Sequence, residues 1–191
     1  MILPSGAPPG SVAVDAETNS MLLSAERIQL ITVGELKRGK QTVSAQFRFT
    51  EDLGDAGFFF GYREGDVGNK RVGISHLLYR QRLRDLPDGS ELFRLIREQA
   101  WFPPGNAVPI SFAGRTIEMA PTKSRDFELA VQFDETGIRE VAFDGVPIPE
   151  LLIAALNRTF DAGDLWGAWG IYNNASTVRV SQLVLNPGVK P

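Results

Sequence analysis

The chain has 191 residues, no cysteine and a formal net charge of −3, a length that suits one large all-β domain or two small ones. The lack of cysteine excludes a disulfide framework, a thiolate zinc site and a cysteine nucleophile. A pI near 5.3 disfavours a nucleic-acid-binding function, and no apolar run approaches the roughly 18 residues that span a bilayer.

The segment 1–11 is rich in Pro and Gly and is predicted to be a flexible tail or linker. It lacks a basic region followed by an apolar stretch, so it does not have the pattern of a signal peptide. One domain is expected over residues 12–191. We expect this domain to belong to a longer protein that is secreted or extracytoplasmic.

Strand patterns dominate the rest of the chain. In the segment 41–50, Val43, Ala45, Phe47 and Phe49 fall on one face, whereas polar residues fall on the other. Such alternation predicts a strand with one buried face. The segment 125–134 repeats the pattern. Strands are predicted at 21–23, 28–33, 41–50, 57–63, 71–81, 92–98, 111–119, 125–134, 138–143, 166–172 and 177–185.

The connections favour antiparallel packing. Asp144-Gly145 is a tight-turn dipeptide, and the apolar parity of the last strand changes near Ser181 and Gln182, which predicts a β-bulge. One short helix is predicted over residues 149–157, with Pro in its first turn. The sequence therefore predicts an all-β fold, a two-sheet antiparallel β-sandwich (jelly roll) with one short helix.

Four segments carry a family resemblance: Gly-Asp-Ala-Gly-Phe-Phe-Phe-Gly-Tyr-Arg at 54–63, Val-Ala-Phe-Asp-Gly-Val-Pro at 141–147, and the closing segments 167–172 and 176–183. In order and spacing they resemble bacterial concanavalin A-like domains of the laminin G-like kind. The resemblance implies a jelly roll with one concave and one convex face. It also implies that the concave face or its rim loops bind sugars, although other members are interaction modules without a known ligand.

The sequence offers little for catalysis. Hydrolases on this fold place several carboxylates on one strand face, and here Asp126 and Glu128 share a face that has the pattern of a solvated surface. A Ser-His-Asp triad would have to use His76, the single histidine, which lies in a predicted strand without a nucleophile elbow. We therefore predict no catalytic residue.

The residue types of the chain restrict which metal ions it could bind. One histidine and no cysteine cannot supply a transition-metal site. Calcium accepts carboxylates and backbone carbonyls, so Asp52 and Asp55 in one loop are the candidate ligands of a calcium site, with Asp161 and Asp164 in another loop as the alternative. No other cofactor is predicted.

The remaining signal is a set of arginines and aromatic residues in the middle strands. By parity, Arg63, His76, Arg80 and Arg94 are predicted to lie on the solvent face of one sheet, and Trp101 enters a loop where its ring could form a platform. Planar donors and aromatic rings suit sugars, and arginines suit an acidic glycan or an acidic protein segment. Three hypotheses stay open: a recognition module for a glycan or protein ligand, a glycan-processing hydrolase, and a protein-interaction domain.

Overall fold

The computed structural model describes residues 10–51, 54–103, 110–157 and 162–187. These residues form strands, one α-helix and one 3-10 helix. The strands are β1 (Ser11–Asp15), β2 (Ser20–Ala25), β3 (Gln29–Leu36), β4 (Gln41–Phe49), β5 (Asp55–Val67), β6 (Lys70–Asp85), β7 (Glu91–Phe102), β8 (Ile110–Glu118), β9 (Asp126–Asp134), β10 (Gly137–Phe143), β11 (Val146–Pro147), β12 (Gly167–Asn174) and β13 (Ser176–Pro187). The helices are α1 (Glu150–Asn157) and a 3-10 helix (Ala162–Leu165).

The predicted fold class is confirmed: the strands form two antiparallel sheets. The seven-stranded sheet has the order β1-β2-β13-β4-β9-β10-β11, and the six-stranded sheet has the order β3-β12-β5-β6-β7-β8. In the six-stranded sheet β5, β6, β7 and β8 follow one another along the chain, so successive hairpins bring their side chains into fixed register. This meander positions the candidate site.

The core lies between the inner faces of the two sheets. The alternation predicted for β4 and β9 is confirmed, because their apolar residues are buried and their polar residues face outward. Phe47 stacks on Phe127 with 4.8 Å between ring centroids, and it meets Phe58 of the opposite sheet edge to face at 5.5 Å. Burying each such ring contributes about 1.5–3 kcal/mol, so these contacts hold the sheets together.

Turn and bulge predictions are also confirmed. Asp144 and Gly145 adopt φ values of 51° and 72° between β10 and β11. The register of β13 against β4 shifts between Ser181 and Val184, and Gln182 has φ 50°. The sequence patterns did not predict β1, because its five residues follow directly on a segment rich in Pro and Gly.

A second bulge reverses the side-chain faces of β5. The register of β5 against β6 shifts between Phe60 and Arg63, and Gly61 has φ 62°. A Cβ at Gly61 would lie 1.8 Å from the carbonyl oxygen of Asp164, so only glycine fits this backbone. Before the bulge Phe60 points into the core, whereas Tyr62 after it packs with aromatic residues of the outer face.

Candidate functional site

Both faces of the six-stranded sheet are apolar. Besides the core, its outer face carries a second buried group, the outer cluster, in which the rings of Tyr79 and Tyr172 lie 4.7 Å apart. The cluster comprises Ile28, Leu30, Phe59, Leu77, Tyr79, Ile96, Ala100, Phe102 and Tyr172. An aromatic group on an outer sheet face is a common base for a ligand site.

Beside the outer cluster, five polar side chains lie in a line across five adjacent strands. Strand pairing places each of them directly opposite the next, from β12 through β5, β6 and β7 to β8. We call this line the polar row; its members are Asn174, Asp55, Gln81, Arg94 and Glu118. Since directly opposite residues project from the same face, the sheet itself gathers these groups from distant parts of the chain.

Hydrogen bonds connect four members of the polar row. Arg94 donates from Nε and Nη2 to Oε1 of Gln81 at 2.8 and 2.5 Å. Gln81 Nε2 and Asn174 Nδ2 donate to Oδ2 of Asp55 at 3.5 and 3.1 Å. Among the described residues, Asp55 Oδ1 and the Glu118 carboxylate accept no hydrogen bond. The polar row is thus held in place while it leaves acceptors for a ligand.

Within the polar row, Asp55 is a carboxylate with a raised pKa. Burial raises the pKa of Asp55, and the charge of Glu98 adds to this effect, whereas the bonds from Asn174 and Gln81 oppose it. Glu98 itself accepts a hydrogen bond from the Tyr79 hydroxyl at 3.1 Å. A half-buried carboxylate with a raised pKa is frequent at functional sites.

The structure brings two of the predicted site residues together and separates the others. Asp55 and Arg94 both belong to the polar row. Arg63 lies beyond the Gly61 bulge and pairs with Asp164 at 2.9 Å. Trp101 is half-buried near the end of β7, opposite Ile74.

The predicted shared solvent face is wrong for His76 and Arg80, which point into the sandwich and are each 1% exposed. The physical reason is that β6 has apolar residues at both parities, as in Leu77 and Leu78. Alternation alone could not identify which face of the strand meets the opposite sheet.

Arg80 is buried among aromatic rings and next to a carboxylate. Its guanidinium lies 4.6 Å from the ring centroid of Phe93 and 5.3 Å from that of Phe127, and it donates to Glu91 at 3.1 Å. Burial lowers the pKa of Arg80, whereas the charge of Glu91 opposes this. Cation–π contacts and one ion pair compensate the buried charge of this arginine, while its Nε and Nη1 atoms have no hydrogen-bond partner among the described residues.

His76 lies in the interior near a second buried arginine, Arg97, which donates to Oδ1 of Asn157 at the end of α1 at 3.1 Å. Burial lowers the pKa of Arg97 to about 9. Burial also lowers the pKa of His76 to about 3; the charges of Arg97 and Arg63 add to this effect and that of Asp164 opposes it. His76 is therefore neutral in the folded protein at neutral pH.

This burial gives a test by acid unfolding. The folded pKa of His76 lies below its unfolded value near 6.5, so its contribution to stability is present above pH 6.5 and is lost as the pH falls toward 3. At pH 5 the expected loss is about 2 kcal/mol. Urea unfolding at pH 7 and pH 5 measures it, with His76→Gln as the control that lacks this component. Equal pH dependence in both proteins would contradict the assignment.

The predicted calcium site stays a prediction. Asp52 and Asp161 lie outside the described residues. Asp55 faces Asn174 and Gln81 in the polar row. Within the described ranges, no three His, Asp or Glu side chains converge so as to hold a metal ion. Likewise, no described helix has the length and apolarity needed to cross a membrane.

A polar groove of about 520 Å³ crosses the outer face of the seven-stranded sheet. Two of its charges pair with each other, since Arg48 binds Asp126 through two hydrogen bonds of 2.8 and 2.6 Å. The two aromatic residues that line it, Phe47 and Phe127, are buried in the core. The rings of the outer cluster are buried to a similar degree, so the polar row is the better candidate because of its connected polar side chains from five strands.

The sequence patterns did not predict Gln81, Asn174 and Glu118 as ligand-binding residues. Each is an ordinary polar residue in its own strand, and the signal appears only when the strand register is known. Asn174 and Asp55 lie 119 positions apart. The sequence signal that pointed to a polar site was that β6 and β7 carry polar residues between apolar ones on both faces.

Fold and site together define the class: a two-sheet antiparallel β-sandwich with a polar, aromatic-backed outer sheet face. No protein-family model and no curated protein matches the sequence. Among solved structures, the carbohydrate-binding module CBM66 from Bacillus subtilis aligns with a TM-score of 0.51 and 11% identity over 94% of this chain and 92% of its own. Sheep galectin-11, solved in complex with glycerol, aligns with a TM-score of 0.45 and 10% identity over 85% of this chain and 99% of its own. The first likeness shows a shared fold.

Proposed function

We propose that this domain is a non-catalytic recognition module of the concanavalin A-like type that binds a glycan through the polar row. The observation that carries the proposal is the alignment of five polar side chains from five strands beside the outer cluster. Sugar hydroxyl groups are recognised by planar donors and acceptors held in fixed positions. The Bacillus subtilis module of the same fold is named as carbohydrate-binding, which makes a glycan the first ligand class to test.

The charge of the outer face supports a neutral glycan over an acidic one. Around the outer cluster and the polar row, Asp55, Glu98 and Glu118 contribute three carboxylates, whereas Arg94 contributes a guanidinium. An acidic ligand would meet repulsion from the carboxylates, whereas hydroxyl groups can donate to Asp55 and accept from Arg94. This revises the ligand suggested by the arginine content of the sequence, because Arg80 is buried and Arg63 is paired with Asp164.

A hydrolase is the less supported alternative. Asp55 lies in β5 and Glu98 in β7, on either side of β6. Glycosidases hold two carboxyl groups roughly 5–10 Å apart, with a gap for the sugar between them. Here Tyr79 occupies the intervening strand and binds Glu98. Release of reducing sugar from a bound glycan would favour the hydrolase instead.

The test is a glycan array with neutral and acidic glycans, run with the wild type, Arg94→Ala and Arg48→Ala. Loss of the charged hydrogen bonds of Arg94 is expected to weaken binding about tenfold or more. Arg48→Ala is the matched control, because it removes an exposed arginine from the opposite sheet. An array without any binding, or equal loss in both variants, would contradict the proposal.

A further inference from the structure

The inner face of the seven-stranded sheet is left open at one edge. Val12 and Val14 of β1 pair with Leu23 and Met21 of β2, and Leu23 belongs to the core, so both valines point to the inner side. They are nevertheless 39% and 73% exposed. Apolar side chains on a core-facing surface are therefore left in contact with water at this edge.

An apolar groove lies next to this edge. It has a volume of about 470 Å³ and lies between β1 and β2 of one sheet and β3 of the other. Val33 of β3, 41% exposed, forms its second wall. Its apolar lining consists of Val14, Ala16, Met21, Ile31, Val33, Val180 and Leu183. A contiguous exposed apolar surface of this kind indicates a contact with another macromolecule.

The backbone of β1 is also available for pairing. Among the described strands, β1 has a neighbour on one side only, and it pairs with β2 without a register shift. Edge strands are usually protected from further pairing by a charge, a proline or a bulge. β1 has none of these before its last residue, Asp15.

The sequence of β1 favours a second copy of the same strand as its partner. When two copies of Ser-Val-Ala-Val-Asp run antiparallel about Ala13, Val12 lies opposite Val14 in both directions. Ser11 lies opposite Asp15, so no like charges meet. Cross-strand pairs of β-branched residues stabilise a sheet, and a two-fold axis requires this self-complementarity.

We propose that two copies of this chain associate through β1, about a two-fold axis at Ala13, so that their seven-stranded sheets join into one. The valines of each β1 then cover the apolar groove edge of the other copy. The dimer would carry two polar rows and so raise the avidity for a repetitive glycan. The association itself does not depend on the proposed function.

Crosslinking tests the register directly, since the chain has no cysteine. Ala13→Cys places the two thiols opposite each other across the axis, within the Cα separation of about 4.4–6.8 Å that a disulfide accepts. Val146→Cys is the control, at the opposite edge of the same sheet and 66% exposed. A covalent dimer of Ala13→Cys, formed much faster than one of Val146→Cys, is expected. Equal rates would overturn the proposal.

Mass measurement by light scattering gives the second test. The wild type is expected to be dimeric at high protein concentration, and Val14→Lys is expected to raise the dimer dissociation constant about tenfold or more. Val146→Lys should leave the dimer intact, and thermal melts confirm that both variants fold. A wild type that stays monomeric, or a dimer that Val14→Lys does not weaken, would overturn the proposal.

Discussion

Replacing Asp55 by asparagine is expected to weaken glycan binding about ten- to hundredfold while it raises the free energy of unfolding at pH 7. Asn keeps the size of the side chain and one oxygen that accepts from Gln81 and Asn174. It removes the charge that a bound hydroxyl would contact. Hydrogen bonds to charged groups contribute about 1.5–3 kcal/mol, so the affinity should fall roughly ten- to hundredfold.

The gain in stability follows from the sign of the pKa shift. Burial raises the folded pKa of Asp55 above its ordinary value of 3.8, so the folded state disfavours the ionised carboxylate. Its contribution to stability is present at low pH and is lost as the pH rises through the folded pKa. The difference in free energy of unfolding between the variant and the wild type should therefore be largest at neutral pH. It should disappear below pH 3.8.

Asp126→Asn is the matched control for both readouts. The hydrogen bond and charge of Arg48 lower the pKa of Asp126, so the same substitution there should slightly reduce stability at pH 7 and leave glycan binding unchanged. Urea unfolding over a pH series and calorimetric titration with an array-positive glycan measure the two effects. If Asp55→Asn binds like the wild type, Asp55 has no part in recognition.

The second large effect is expected at Arg80. Arg80→Ala should lower the free energy of unfolding by about 3–5 kcal/mol, because it leaves the Glu91 carboxylate without its buried partner. It also removes a side chain that packs against three phenylalanine rings. Urea unfolding at pH 7 measures the change.

Two further variants keep this prediction testable if Arg80→Ala does not fold. The double variant Arg80→Met with Glu91→Gln fills the volume without charge and should regain most of the stability. Arg82→Ala removes the half-buried partner of the exposed Asp85 and should cost about 1 kcal/mol or less. A folded, stable Arg80→Ala protein that no longer binds glycan would instead make Arg80 a ligand-binding residue.

The sequence by itself determined the fold class and most strands of this protein. Alternation in β4 and β9 fixes which residues face the core, since a strand buried on one side must place apolar groups at every second position. The turn at Asp144-Gly145 and the bulge near Gln182 were likewise visible as local patterns, because turn chemistry depends on a few neighbouring residues.

Only the tertiary structure decided the faces of β6 and the members of the candidate site. His76 and Arg80 lie in a strand that is apolar on both sides, so their orientation depends on where the opposite sheet packs. The polar row unites Asp55 with Asn174, which no local pattern connects. Pairing between distant strands sets that register, and pairing is a property of the whole sheet rather than of any one segment.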